Sequence, residues 1–240
     1  GDVHGPLSMK GFQGETTINT CHSHLSLRNT AAVTAQTVHG PLKARDISGP
    51  VHVQTINGDG MLRNVQSVQI DHVNGDLAIK NIVEDVTINK ARGDISMNTI
   101  GRNVTISYGG RDANLRNISG LLNIAAVDGD IRLYDGLISG DHTLNANGDV
   151  VLRWPVNTPL NVTATANGDI RHKLPFETAI LNEEEQPRTF AGSFGDGKTN
   201  LTIESKGDII MKSITNIKVE TDDFKGDIDI DFDSFGDFGA

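Results

Sequence analysis

Cysteine is nearly missing from this chain, with Cys21 alone in 240 residues. That excludes an intramolecular disulfide framework and leaves the redox compartment open. Aromatic residues amount to 5% and the apolar fraction to 37%, both low for a length that could otherwise make two ordinary domains. A narrow interior that accepts Val, Ile, Leu and Ala but no large rings accounts for both. No run approaches the roughly eighteen apolar residues of a membrane-crossing helix. The chain opens at Gly1-Asp2 without an initiator Met or a signal-like segment, which reads as a processed product or an excised domain. Cations are in deficit too: 21 Lys and Arg face 31 Asp and Glu, for a net charge of −10. An overall field of that sign argues against nucleic acid and anionic membrane as partners. Eight of the acids lie between Glu220 and Asp237 with only Lys225 against them, so much of the acidity belongs to residues 220–240. No Ser-His-Asp set, close carboxylate pair or phosphate-binding loop can be assigned, and the chain is read as not an enzyme.

What is present is a repeat. GDLAIKNIVEDVTINKAR from Gly75 and GDISMNTIGRNVTISYGG from Gly93 match at Gly75/Gly93, Asp76/Asp94, Leu77/Ile95, Ile79/Met97, Ile82/Ile100, Val86/Val104 and Ile88/Ile106, a period of eighteen residues. Inside a copy, Leu77, Ile79, Ile82 and then Val86, Ile88, Ala91 repeat one apolar spacing. A step of two places neighbouring inward residues on a strand, and the following step of three turns a corner. Each copy is thus two short strands and two bends, too small to bury its own apolar face, so copies must stack. The expected fold is all-β: a single-stranded, right-handed parallel β-solenoid of the β-helix or β-roll kind, one domain over 1–240. Further copies start at Gly5, Ser23, Gly40, Gly58, Arg111, Gly129, Gly148, Gly168, Gly207 and Gly226. They give about twelve to thirteen turns of roughly 17 to 20 residues, a rod about 60 Å long.

Columns follow from this stacking. One inward position reads Met9, Leu27, Ala44, Leu62, Ile79, Met97, Leu115, Leu133, Leu152, and its counterpart on the opposite strand reads Ile18, Ala35, Val53, Ile70, Ile88, Ile106, Ile124, Leu144, Val162. A corner column of Asn29, Asp46, Asn64, Asn81, Thr99, Asn117 and Asp135 reads as short polar side chains hydrogen-bonding backbone at a bend. The abundant glycines are expected at bends that need a positive φ. Residues 174–199 interrupt the pattern before an inward strand resumes at Leu201 and Ile203. They are expected as a loop on one side, where function tends to collect. Residues 220–240 are expected as an acidic terminal turn or cap.

Several side chains are site candidates. The Gly-Asp bends suggest a calcium-binding roll, but they lack the paired, spaced Asp of such rolls, so these Asp are read as acceptors of backbone N–H groups. Asp227, Asp229, Asp231 and Asp233 share a strand that alternates with Ile228, Ile230 and Phe232. They are weak calcium candidates, and guarding an exposed edge strand is the favoured role. His4, His22 and His39 fall near one bend beside Cys21 and His24, where stacked imidazoles could take a transition metal and solvated bend residues are the simpler reading. His172 stands in an otherwise aliphatic inward column, where a partner from the inserted segment would explain it and a catalytic role is the weaker alternative. Outward Arg102, Arg116, Arg132, Arg153 and Arg171 read as scattered. No metal or other cofactor is assigned.

The run of Gly-Asp turns, followed by a variable loop and SFGDGKTNLTIESKGDI over Phe194–Ile209, resembles a widespread bacterial family of Gly-Asp repeat solenoids described as adhesins, a domain of unknown function. The resemblance covers nearly the whole chain and supplies no residue-level site. It implies a location at the cell envelope or outside the cell, with the cytoplasm as the alternative, and binding rather than catalysis. The expected function is a non-enzymatic structural or adhesive solenoid that associates with surfaces or with itself as a homo-oligomer or end-to-end polymer. Alternatives are carbohydrate or surface-ligand binding at the 174–199 loop, whether the ligand is a polysaccharide or a protein, and an enzyme acting on polysaccharide.

Overall fold

A computed structural model describes residues 1–214 of the protein. The expected cap over 220–240, with Asp227, Asp229, Asp231 and Asp233, lies outside the described residues. All regular structure within them is β, in parallel coils apart from one antiparallel hairpin. From Leu7 to Ala146, eight turns stack strictly in sequence order. One face is built from first strands such as Leu77–Ile82, Ile95–Ile100 and Ala113–Ile118, and the other from second strands such as Val86–Ala91, Val104–Ile106 and Leu122–Val127. Each residue pairs with its repeat equivalent: Ile79 with Met97, and Met97 with Leu115.

The two inward columns form one spine. Ile79, Met97, Ile88 and Ile106 are at most 1% exposed, and burying such a side chain contributes about 2 kcal/mol. Met9, in the first full turn, is only partly buried because no earlier coil covers it.

The corner column is where the backbone reverses. Among the described residues, Asn29, Asp46, Asn64, Asn81, Thr99, Asn117 and Asp135 are the seven non-glycine residues of positive φ, between 51° and 78°. Gly11, φ 72°, holds the same place in the first turn. Asn and Asp tolerate this left-handed conformation better than other side chains. Their side chains bond along the stack rather than to backbone as expected: Asn64 Nδ2 donates to Asp46 Oδ1 at 2.6 Å and Asn81 Nδ2 to Asn64 Oδ1 at 3.0 Å.

The glycines before Asp have a different reason to be glycine. Gly75, Gly93, Gly129, Gly148, Gly168 and Gly207 have no positive φ; a Cβ on any of them would lie 2.2–2.4 Å from the Asp Oδ1 of the adjacent turn. That oxygen accepts the N–H of the Asp following each glycine, so the pair Gly-Asp is one hydrogen-bonding unit per coil.

Beyond Ala146 the pattern changes. Val150–Pro155 runs straight through Trp154, where regular turns have their left-handed corner. The next strand, Leu160–Ala166, does not lie on Gly140–Ala146. Thr199–Ser205 lies between them, parallel to both. On the other face Ile209–Ile214 lies between Val150–Pro155 and Ile170–His172. Sequential stacking was the expectation for these copies, and the structure instead inserts the later coil between two earlier ones. Leu144 therefore pairs with Ile203 and Ile203 with Ala164, which displaces Val162 from the expected column.

Residues 174–199, expected as a side loop, contain the antiparallel strands Thr178–Asn182 and Arg188–Phe194, and the second of these pairs antiparallel with Leu160–Ala166. Phe190 is 1% exposed and Phe194 6%. With Phe176 they close the end of the apolar spine.

Candidate functional site

The flanks of the first face carry two charged columns. At its entering edge, each Asp carboxylate receives the backbone N–H of the next: Asp76 to Asp59 at 2.9 Å, Asp94 to Asp76 at 2.9 Å, Asp112 to Asp94 at 3.1 Å and Asp130 to Asp112 at 2.9 Å. The ladder continues from Asp149 onto Asp130, Asp208 onto Asp149 and Asp169 onto Asp208, in the spatial order of the rungs. Asp169 carries its last carboxylate among the described residues, where no further coil donates to it. Arg188 of the hairpin fills that place on Oδ1, and Arg171 takes Oδ2 at 2.8 Å. Arg171 and Arg188 hold the Asp169 carboxyl below its ordinary range. Arg132 spans Asp112 and Asp130 at 2.8 and 2.7 Å. Burial opposes ionisation of Asp112, but Arg132 and the Asp130 N–H together keep its carboxyl low.

At the leaving edge, the outward residue after the second inward position forms a cationic column. In register it reads Lys10, Arg28, Arg45, Arg63, Lys80, Asn98, Arg116, Tyr134, Arg153 and Lys212, with Lys173 beside Lys212 in the last rung. Strands in a sheet lie about 4.8 Å apart, and two like charges near that distance repel by about 1 kcal/mol even in water. Among the described residues, Lys10, Arg28, Arg63, Lys80 and Arg116 make no ion pair with a carboxylate, and Arg45 reaches only Asp46, at 3.5 Å. Arg116 lies over the Tyr134 ring, 5.2 Å from its centroid. The Asp ladder sits four residues away across the strand, about 13 Å.

Four of the five outward arginines are therefore not scattered: Arg116 and Arg153 belong to this column and Arg132 and Arg171 serve the Asp ladder, whereas Arg102 lies exposed at a bend outside both. The signal was in the sequence, in Met9-Lys10, Leu27-Arg28, Ala44-Arg45 and Leu62-Arg63, once the residue after each inward position is aligned as carefully as the inward one.

His172 packs against Phe176 and Phe190, with ring centroids 5.3 and 4.9 Å away, so the inserted segment does supply its partners. His4, His22 and His39 are in good register, stacked at 5.0 and 5.1 Å with interplanar angles of 12° and 11°. Parallel stacking turns ring faces, not nitrogen lone pairs, toward each other, which does not suit a shared metal. Cys21 is buried, its Sγ 3.4 Å from the His24 carbonyl oxygen. Among the described residues no three His, Cys, Asp or Glu side chains converge as a metal site. A cleft of about 390 Å³ opens on the second face, where Pro187 of the hairpin meets Asn145, Asn147, Glu204 and Lys206.

Sequence reading passed over His142, which is 2% exposed. Its Nδ1 accepts the Leu122 N–H at 3.1 Å and its Nε2–H donates to the Ile138 carbonyl at 2.9 Å, so the neutral ring satisfies both. Burial lowers its pKa below the ordinary 6.5. The native state then binds fewer protons than the unfolded chain, and this contribution is complete above about pH 6.5 and lost as pH falls below it. Urea unfolding should show wild-type stability falling from about pH 7 to about pH 5.5 by more than that of His142→Gln. Identical falls in the two proteins would remove His142 from the account.

Parallel coils on one aliphatic spine, with in-register polar columns outside, define a β-solenoid repeat protein. Residues 30–212 match the model of the Toastrack DUF4097 family, and the chain belongs to that family, whose function is unknown. No curated protein and no solved structure matches the chain.

Proposed function

We propose that this solenoid is a non-enzymatic adhesive module of the bacterial cell envelope or extracellular space, which recognises its partner side-on along a sheet face. The carrying observation is the register of the outward side chains. Residues from many coils, such as Arg28, Arg45, Arg63 and Lys80, stand in one line on a rigid stack, and a repeated surface of this kind suits a repeated partner. Stacking of one molecule on another is less favoured at the hairpin end, because Arg188–Phe194 pairs antiparallel there and breaks the parallel register.

Cosedimentation with isolated bacterial envelopes, together with light scattering after size exclusion, tests the reading. Saturable sedimentation of a monomer is the expected result. Absence of sedimentation would sink it, and polymers at high concentration would favour end-to-end assembly instead. The cleft beside Pro187 supports a second reading, a discrete surface-ligand site next to the 174–199 hairpin. Asn147→Ala with Lys206→Ala should abolish envelope binding under that reading and leave it unchanged under the first.

A further inference from the structure

We propose that the cationic column at the leaving edge of the first face is the binding track for a single chain of a carboxylated polysaccharide, laid parallel to the stack axis. This rests on the side-on adhesive reading and names its ligand class. The structure as such has no use for the column: like charges directly opposite on neighbouring strands destabilise a sheet, and Arg28, Arg63 and Arg116 have no carboxylate partner among the described residues. Lines of uncompensated charge of this kind raise the local concentration of an oppositely charged ligand.

Three features select the ligand. Cations occupy five successive rungs, from Lys10 through Arg28, Arg45 and Arg63 to Lys80, about 4.8 Å apart, close to the advance of one pyranose residue along a linear sugar chain, so successive carboxylates can meet successive rungs. Arg28, Arg45 and Arg63 occupy three successive rungs, and the planar fork of arginine matches a carboxylate with two parallel hydrogen bonds. Beside the cations runs the corner column, in which Asn29, Asn64, Asn81 and Asn117 hold short amides at the surface; these suit hydroxyl groups, which donate and accept. Nucleic acid fits less well. Single strands are held by stacking on aromatic platforms, of which this column has only Tyr134, already engaged with Arg116.

The experiment is titration calorimetry of the whole chain with a soluble polyuronate over a series of salt concentrations, with neutral dextran and single-stranded DNA in parallel. Binding of the polyuronate alone, weakening with salt, is expected. The variant R28Q/R63Q/R116Q should lose roughly threefold per exposed charge pair, about 30-fold in all. R92Q/R102Q/R111Q, which removes three exposed bend arginines outside the column, should bind as wild type. Circular dichroism of the first variant should show a melting temperature close to that of the wild type, since relief of repulsion offsets loss of the Arg116–Tyr134 contact. Equal loss in the two variants, or equal binding of DNA, would overturn the assignment by making the attraction a general charge effect. No polyuronate binding by a protein whose envelope sedimentation survives R28Q/R63Q/R116Q would overturn it too, while leaving the side-on adhesive reading intact.

Discussion

Phe190→Ala is expected to cost about 3–5 kcal/mol and to loosen the stack from its hairpin end inward. Phe190 is 1% exposed and meets both His172 and Phe176, so its ring covers the last rung of an apolar spine that, among the described residues, no further coil covers. Alanine would leave a cavity open to water at the hairpin end of the spine. Each coil contacts only its neighbours, and a repeat stack can fray locally instead of unfolding as one unit. Amide hydrogen exchange should therefore show protection lost first in Leu160–Ala166, Ile170–His172 and Thr199–Ser205, with Leu77–Ile82 and Ile95–Ile100 little changed. Uniform loss over all coils, or none, would contradict a capping role for the hairpin.

Gly93→Ala should destabilise by about 2–4 kcal/mol, through overpacking plus a damaged charge-assisted hydrogen bond. The added Cβ would lie 2.3 Å from Asp76 Oδ1 and 2.5 Å from the Gly75 carbonyl oxygen, so the coils must separate or the carboxylate must swing away. If it swings, the Asp94 N–H loses the acceptor it holds at 2.9 Å. Asp76→Ala removes the nearer obstacle, so the double variant should lose less than the sum of the singles, a coupling that a double-mutant cycle reads directly. Gly5→Ala is the internal control: it begins a copy in the same way, but no earlier coil lies against it and its Cβ would meet nothing within 4 Å. Chemical denaturation of these proteins would decide the matter, and an effect of Gly5→Ala as large as that of Gly93→Ala would refute the close-approach explanation.

The sequence marked the bend residues correctly but exchanged their reasons. Asn29, Asn64 and Asn81 aligned as a polar column, and that column adopts the left-handed backbone for which glycine had been expected. The Gly-Asp glycines are instead required by contact with the adjacent coil, a distance no single copy contains. Of the site, the Asp column was read as backbone acceptors, and it is. The cation column was overlooked because outward residues were compared one by one along the chain, not position by position across copies.

The sequence by itself determined the solenoid, its period, its aliphatic spine and its corner positions. These depend on which way a side chain projects from a strand and on which backbone angles a residue tolerates, both properties of a few neighbouring residues. Only the tertiary structure decided which rung each strand joins near the end. Thr199–Ser205 alternates inward and outward residues just as Leu160–Ala166 does, so either could follow Gly140–Ala146 without exposing apolar surface. Pattern sets the face and the register of a strand but not its neighbour, and the extra chain needed to return to an earlier rung adds little entropy cost. The straight run through Trp154, the aromatic hairpin over the last rung and Arg188 on the final carboxylate of the Asp ladder settle that choice, and they act between residues far apart in sequence.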